Sequence, residues 1–221
     1  AYSIIANIQQ STLDHDNAII TYKVLLKERP DDAQNWLRLG SCQSQSYKEF
    51  DQAKNSLIKS FHLAKSEEKI DVTLVTEIAD NLRLAGHFKE AVEIYKYLAT
   101  ETGTVEPVVY TYWGLSLKNL GRHRESREIF KQAIQKCVYI AKKSKPTETH
   151  TLQILSAWLY TLLGNQKESE KLYSLISENI PPEELYLEQE SYLSQSYSRI
   201  KKMREIVRGR NIAILLYGPS I

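Results

Sequence analysis

The stretch LAGHFKEAVEIYKYL, Leu84 to Leu98, decides the fold that we predict for this chain. Gly86 predicts a turn, because a residue without a Cβ tolerates the backbone angles that end a helix. After the turn, apolar residues recur at i, i+3, i+7 and i+10 along one face of a helix, at Phe88, Ala91, Tyr95 and Leu98. The small Ala91 lies between larger side chains, where a second helix can approach closely. The stretch therefore predicts a tight turn followed by an amphipathic helix.

The same pattern recurs in two later stretches, LGRHRESREIFKQA (120–133) and LGNQKESEKLYSLI (163–176). Each has a glycine in the turn, a small residue on the helix and an aromatic residue one turn later. Small residues at equivalent positions, Ala18, Ala53, Ala91, Ser126 and Ser169, are separated by 35, 38, 35 and 43 residues. Spacings of this length accommodate two helices and two turns, and repetition at such intervals indicates a repeat array. We therefore predict about five helix pairs.

The pattern divides the chain into three parts. The array occupies 1–181 and closes at Pro181. A long helix, Glu183 to Val207, follows within 182–208, and we expect it to cover the exposed end of the array. The tail, 209–221, contains the unbroken apolar run Ile212 to Tyr217, which is of strand-like or buried type. The chain lacks an initiator Met and its pattern begins inside a helix, so we expect a piece of a longer protein.

These features resemble the tetratricopeptide repeat family. The family pattern has a large residue, Leu-Gly, an aromatic residue, a small residue, a second aromatic residue, Ala and a closing Pro. The matching residues are Ala18, Tyr22 and Pro30; Trp36, Leu39, Gly40 and Ala53; Gly86, Phe88, Ala91 and Tyr95; Gly114, Gly121 and Phe130; and Gly164, Tyr173 and Pro181. The second unit has one extra residue, the fourth is longer, and serine replaces alanine at 126 and 169. The resemblance implies an all-α, right-handed superhelical solenoid of antiparallel helix pairs whose first helices line a concave groove.

Two first helices carry a second apolar stripe beyond the one needed for packing. In the helix from Thr149 to Leu163 the extra stripe is Leu155, Trp158, Leu159 and Leu162, and in the preceding unit it is Val108, Tyr112 and Leu115. The resemblance places both stripes in the groove. One interpretation is a binding surface for a partner peptide. The other is that the chain covers the stripes itself, with the tail folding back onto them.

The N-terminal half of the groove is expected to be more polar. Its candidate partner-binding residues are Arg38, Glu77 and Asp80. Some members of the family hold a peptide carboxylate with Lys, Arg and Asn from three consecutive units. The matching positions here form no such basic clamp, so we do not expect a receptor for chaperone tails.

A basic run in the predicted terminal helix gives an alternative kind of partner. Lys201, Lys202 and Arg204 belong to this run and could contact an acidic protein or phosphates. The other interpretation is a solvated face with cations near a helix C-terminus. The formal net charge of the chain is only +2, which does not by itself indicate nucleic acid.

Motifs of catalysis, metal binding and membrane insertion are absent from the sequence. The five histidines are scattered, Cys42 and Cys137 are far apart, and no metalloprotease, hydrolase or nucleotide-binding spacing occurs. The opening residues AYSIIANIQQ do not show the pattern of a secretory signal, and no apolar run reaches about 18 residues. We therefore predict a non-catalytic, cytoplasmic or nuclear protein–protein interaction scaffold without cofactor, metal or membrane. The alternatives are a nucleic-acid-associated repeat protein and a homo-oligomer assembled through the tail.

Overall fold

The computed structural model describes residues 2–103, 106–144 and 149–179. Every regular element within these ranges is an α-helix, and ten helices follow one another through short connections. They are α1 Tyr2–Ser11, α2 His15–Glu28, α3 Ala33–Gln43, α4 Phe50–Ser66, α5 Val72–Leu84, α6 Phe88–Glu101, α7 Pro107–Asn119, α8 His123–Ala141, α9 His150–Leu162 and α10 Gln166–Asn179. This order confirms the predicted all-α fold of successive helix pairs. The predicted terminal helix and tail lie outside the described residues.

The described helices form two compact units, which we call unit 1 (α1–α6) and unit 2 (α7–α10). In unit 1, α1 packs on α2, α3 on α4 and α5 on α6, while α2 also contacts α3 and α4 contacts α5. In unit 2, α7 packs on α8 and α9 on α10, and α8 contacts α9. Helices that pack mainly on their neighbours in sequence are typical of a helical repeat. A boundary at Thr102 and Gly103 thus divides the part of the chain predicted as one array.

In each helix pair, a small residue from each helix lies at the contact between the two helices. Those on the first helices are Ala6, Gly40, Ala79, Gly114 and Ala157, those on the second helices are Ala18, Ala53, Ala91, Ser126 and Ser169, and all ten are buried. A Cβ atom on Gly40 would lie 2.6 Å from Cγ of Leu57, and one on Gly114 would lie 2.5 Å from Cε1 of Phe130. Small residues therefore set how closely the paired helices approach.

The serines that replace alanine in α8 and α10 are accommodated by hydrogen bonds. The Ser126 hydroxyl donates to the carbonyl oxygen of Gly114 at 2.8 Å, and the Ser169 hydroxyl donates to that of Ala157 at 2.9 Å. Both bonds join the two small positions of one helix pair. Because a buried hydroxyl without a partner is unfavourable, these bonds explain why the repeat tolerates serine where its sequence pattern favours alanine.

Gly86, Gly121 and Gly164 end the first helices α5, α7 and α9 with the same geometry. Their φ angles are +82°, +73° and +76°. In each turn the glycine N–H donates to the carbonyl three residues earlier, and the next N–H donates to the carbonyl five residues before it, at 2.9–3.1 Å. This pair of bonds defines a Schellman turn with a left-handed glycine. The three glycines that define the sequence pattern therefore occupy equivalent corners.

The turn after α1 has the same two hydrogen bonds but holds leucine in place of glycine. The Leu13 N–H donates to the carbonyl of Gln10 at 3.1 Å, and the Asp14 N–H donates to that of Gln9 at 2.8 Å. Leu13 has a φ of +64°, and 59% of its surface is exposed. A left-handed backbone costs an L-residue about 1–2 kcal/mol. Its exposed side chain contributes little burial to offset this strain.

Aspartate caps the N-terminus of three helices in unit 1. The side chains of Asp14, Asp32 and Asp71 each accept a hydrogen bond from the backbone N–H three residues later, at distances of 2.9–3.4 Å. These bonds satisfy N–H groups that have no partner within the helix. The caps fix where α2, α3 and α5 begin.

α8 is longer than the other second helices. It has 19 residues, whereas α2, α6 and α10 have 14 each and α4 has 17. It ends at Ala141, and its length agrees with the longer fourth unit that the sequence indicates. The added length contributes to the 43-residue spacing between Ser126 and Ser169, and it shapes a cleft described below.

Candidate functional site

α7 buries one face against α8 and leaves part of a second apolar face accessible. Its buried residues include Val109 and Leu117, of which at most 1% is exposed. Val108, Tyr112 and Leu115, which the sequence predicts to point away from the packing stripe, are all partly exposed. The structure therefore provides accessible apolar surface at these three candidate positions.

α9 offers less accessible apolar surface than the sequence predicts. Trp158 and Leu162 are partly exposed. Leu155 and Leu159 are buried, with 7% and 0% of their surfaces exposed. The expectation that Leu155 faces a partner is thus corrected, because this helix packs on both α8 and α10 and buries more than one stripe. The candidate surface on α9 reduces to Trp158 and Leu162.

In unit 1 the polar candidates Arg38 and Glu77 form an ion pair between neighbouring first helices. Nη2 of Arg38 lies 3.8 Å from Oε2 of Glu77, and the two side chains are 38% and 45% exposed. An exposed pair of this kind contributes little to stability. Both side chains are therefore available for contacts with a partner at small cost to the fold.

Asp80, the third polar candidate, has a structural role within its own helix pair. Its carboxylate accepts a hydrogen bond from the hydroxyl of Tyr95, which is fully buried between α5 and α6. The Arg83 guanidinium Nε lies 3.8 Å from the same carboxylate. Burial raises the pKa of Tyr95 well above its ordinary value, and the nearby Asp80 charge adds to the effect. Asp80 is predicted as a partner-binding residue because the sequence does not reveal this hydrogen bond between the two helices.

A polar cavity of about 680 Å³ lies beside Arg38 in unit 1. Side chains from α1 and α3 line it, among them Ser3, Asn7 and Gln34. The hydroxyl of Tyr22 reaches its edge, 2.9 Å from Oδ1 of Asn7, and burial raises the pKa of Tyr22 to about 12. Most of the residues that line the cavity are of polar type.

A second, more apolar cleft of about 430 Å³ lies in unit 2 among α8, α9 and α10. Its walls include Ile134, Val138, Ala141, Leu152, Tyr160 and Leu172. The sequence pattern of the repeat does not predict this cleft. The extended spacing between Ser126 and Ser169 is the one sequence signal that points to irregular packing here.

The described residues contain no group of three or more His, Cys, Asp or Glu side chains that could hold a metal ion. Cys42 and Cys137 are both free and buried, and burial raises the pKa of Cys42 to about 12. Such a thiol stays protonated and is a poor nucleophile at neutral pH. No helix in the described ranges combines the length and apolar character needed to cross a bilayer.

The basic candidates Lys201, Lys202 and Arg204 lie outside the described residues, as does the apolar run of the tail. The nucleic-acid alternative and the homo-oligomer alternative therefore stay predictions.

The fold is similar to solved structures of MamA. One MamA crystal structure aligns with a TM-score of 0.52 at 20% identity, covering 79% of this chain and 93% of the other. MamA from Desulfovibrio magneticus RS-1, residue 41 to the end, gives 0.55 at 11% identity and covers 80% and 92% of the two chains. A double mutant of the RS-1 protein gives 0.56 at 11% identity, covering 80% and 91%.

The chain has a helical-repeat fold. No family model matches the sequence, and no curated protein matches it. The tetratricopeptide resemblance is thus supported through similarity of fold. At 20% identity or less, the structural similarity bears on fold alone.

Proposed function

We propose that this chain is a non-catalytic protein–protein interaction scaffold that binds a partner peptide through the partly exposed apolar face of unit 2. The proposed face consists of Val108, Tyr112 and Leu115 on α7 with Trp158 and Leu162 on α9. The observation that carries the proposal is the accessibility of these large side chains on helices whose other faces are buried. Accessible aromatic residues are the usual anchors of protein interfaces.

The repeat fold supports this function through preorganisation. The helices of unit 2 are fixed by their own packing, so the side chains of the face are held in place before a partner arrives. A rigid surface avoids part of the ordering cost of association. In unit 1 the proposal extends to the exposed ion pair of Arg38 and Glu77 as polar contacts. A cytoplasmic or nuclear location is part of the same proposal.

Selection of peptides on the full chain, followed by affinity measurement, tests the proposed face. A random peptide library is panned on the immobilised chain, and the dissociation constants of selected peptides are measured by fluorescence anisotropy. Trp158→Ala should weaken binding at least about tenfold, because a central aromatic anchor commonly contributes 2 kcal/mol or more. Circular dichroism verifies that the variant remains folded.

Tyr47→Ala provides the matched control, since Tyr47 is an aromatic residue of unit 1 with 55% of its surface exposed. It should leave the affinity unchanged. If Trp158→Ala and Tyr112→Ala both bind the selected peptides as tightly as the wild type, the proposed face is wrong. If Tyr47→Ala weakens binding as much as Trp158→Ala, the effect is not specific to unit 2.

A further inference from the structure

The cleft of unit 2 is a surface separate from the face proposed above. Side chains of α8, α9 and α10 line it, and α9 contacts both of the other two helices. We call the α8 side and the α10 side of the cleft its two walls. None of the five residues of the proposed peptide-binding face lines this cleft. An open volume of about 430 Å³ falls in the range of ligand-binding clefts.

The length of α8 creates the cleft. α2, α6 and α10 have 14 residues, and the first 14 residues of α8 end at Lys136. Cys137, Val138 and Ala141 belong to the five residues beyond that point, and all three line the cleft. Five helical residues add about 7.5 Å. The wall therefore consists largely of a segment that the 14-residue second helices lack.

Apolar side chains at the cleft remain accessible. Val138, which lines the cleft, is 47% exposed and is therefore among the large apolar side chains with the most accessible surface in unit 2. Leu152 and Leu172 on the facing helices are also partly exposed. A groove of apolar side chains between two helical walls is the geometry that binds an amphipathic helix along its apolar face.

The charged side chains that line the cleft favour a bound segment with negative charges. Lys142 and Lys171 line opposite walls, whereas Glu168 is the one acidic side chain among the lining residues. Neither lysine forms an ion pair with a described residue. Positive potential at the rim favours a partner with negative charges beside its apolar residues.

We propose that this cleft is a second docking site, which binds an amphipathic helix of a partner protein with leucine-type residues on one face and glutamate or aspartate along its flanks. The apolar face fills the space between Val138, Leu152 and Leu172. The acidic flanks pair with Lys142 on one wall and Lys171 on the other. The chain then has two separate surfaces in unit 2 and can hold two different segments.

The test uses the full chain and a labelled helical probe. The probe is an alanine-based peptide of about 18 residues, long enough to form a helix when bound. It carries leucines at i, i+3, i+4 and i+7 and glutamates on both flanks. The comparison probe has lysine at every glutamate position. We expect saturable binding of the glutamate probe, weakened by added salt, and at least about tenfold weaker binding of the lysine probe.

Variants of exposed residues locate the binding. Lys142→Glu combined with Lys171→Glu should weaken the glutamate probe at least about tenfold, and Val138→Glu should do the same by placing a charge in the apolar groove. The matched control is Lys118→Glu combined with Arg124→Glu, which makes the same charge change at exposed positions of unit 2 outside the cleft. The control should bind the probe nearly as well as the wild type.

Several results would overturn the proposal. They are no saturable binding of the glutamate probe, equal affinity for both probes, or equal weakening by the control pair. A concentration-dependent doubling of mass that Val138→Glu abolishes would assign the cleft to a second copy of the chain instead. Trp158→Ala should leave the glutamate probe unaffected, so this test and that of the proposed function can fail independently. If Trp158→Ala abolishes probe binding, the probe occupies the other face.

Discussion

Gly114 shows how one residue sets the separation of two helices. It lies inside α7, where alanine would ordinarily favour the helix by about 1 kcal/mol. A Cβ at this position would meet the ring of Phe130 at 2.5 Å, which is too close for van der Waals contact. Overpacking of this kind typically costs about 1–3 kcal/mol. The two effects oppose each other, and we expect the steric effect to dominate because the ring is enclosed.

Gly114→Ala should therefore lower the free energy of unfolding by about 1–2 kcal/mol, measured by urea denaturation. Lys118→Ala on the exposed side of the same helix is the control and should change stability by less than about 0.5 kcal/mol. Combining Gly114→Ala with Phe130→Leu should cost less than the sum of the two single changes, since the smaller side chain makes room for the methyl group. An additive result would show that Phe130 is not the obstacle.

His87 should make stability depend on pH near neutrality. Burial lowers its pKa, the Lys54 charge acts in the same direction, and Glu90 opposes the shift. Its Nε2 atom has no hydrogen-bond partner among the described residues. The unfolded chain, with a histidine pKa of about 6.5, then binds a proton before the folded chain does. The stabilising effect is complete above that value and is lost as the pH falls below it.

We expect the free energy of unfolding to fall between about pH 7.5 and pH 5.5, and His87→Phe to reduce this slope. The measurement is a set of urea titrations of both proteins across that range. Phenylalanine keeps an aromatic ring near Phe50, whose centroid is 6.4 Å from that of His87. Parallel curves for the two proteins would show that His87 does not contribute to the pH dependence.

At the scale of elements, the turn after α1 is the one among the described turns at which the repeat geometry and the residue type conflict. Leu13 has the left-handed backbone that Gly86, Gly121 and Gly164 adopt in the equivalent turns. Leu13→Gly should raise the free energy of unfolding by about 1 kcal/mol, because removal of the strain outweighs the entropy cost of glycine. The complementary change Gly121→Leu should lower it by a similar amount, since nothing lies within 4 Å of its added Cβ and only backbone strain is introduced.

Thermal and urea unfolding of the two variants measure these opposite effects. Gly103→Leu is not a suitable control, because Gly103 also has a positive φ. Ile20→Ala is suitable, since it removes a side chain that is 61% exposed from the helix next to the turn. A stabilisation by Ile20→Ala equal to that of Leu13→Gly would attribute the gain to loss of exposed apolar surface rather than to relief of strain.

The helix pairs and their corners follow from local patterns and could therefore be predicted. The turns are indicated in the sequence by the glycines Gly86, Gly121 and Gly164. The close contact between helices is indicated by the small residue Ala91. Leu13 could not be recognised as a turn residue, because its type predicts an ordinary helical or extended backbone. The burial of Leu155 and the cleft beside Leu152 depend on how a long α8 packs against α9, which spacing alone does not specify.

At the scale of the whole molecule, the division into two units predicts that a destabilising substitution loosens mainly the unit in which it lies. Helices of a repeat gain stability mainly from their sequence neighbours, so a defect in one pair loosens that pair first. Gly114→Ala should increase amide hydrogen exchange in α7 and α8 while α1–α4 keep their protection. Exchange measured by mass spectrometry on peptic fragments tests this. A uniform increase over all described helices would show that the chain opens only as one cooperative body.

The buried hydroxyls of Ser126 and Ser169 have a consequence for modification of this chain. Each points from a second helix to a carbonyl of its partner helix, where there is room for a proton and none for a phosphate. A kinase could reach either serine only before the hairpin closes. A phosphate added at that stage would carry up to two negative charges into an apolar contact and hold the helices apart, so phosphorylation there would act on biogenesis of the chain rather than on the mature protein.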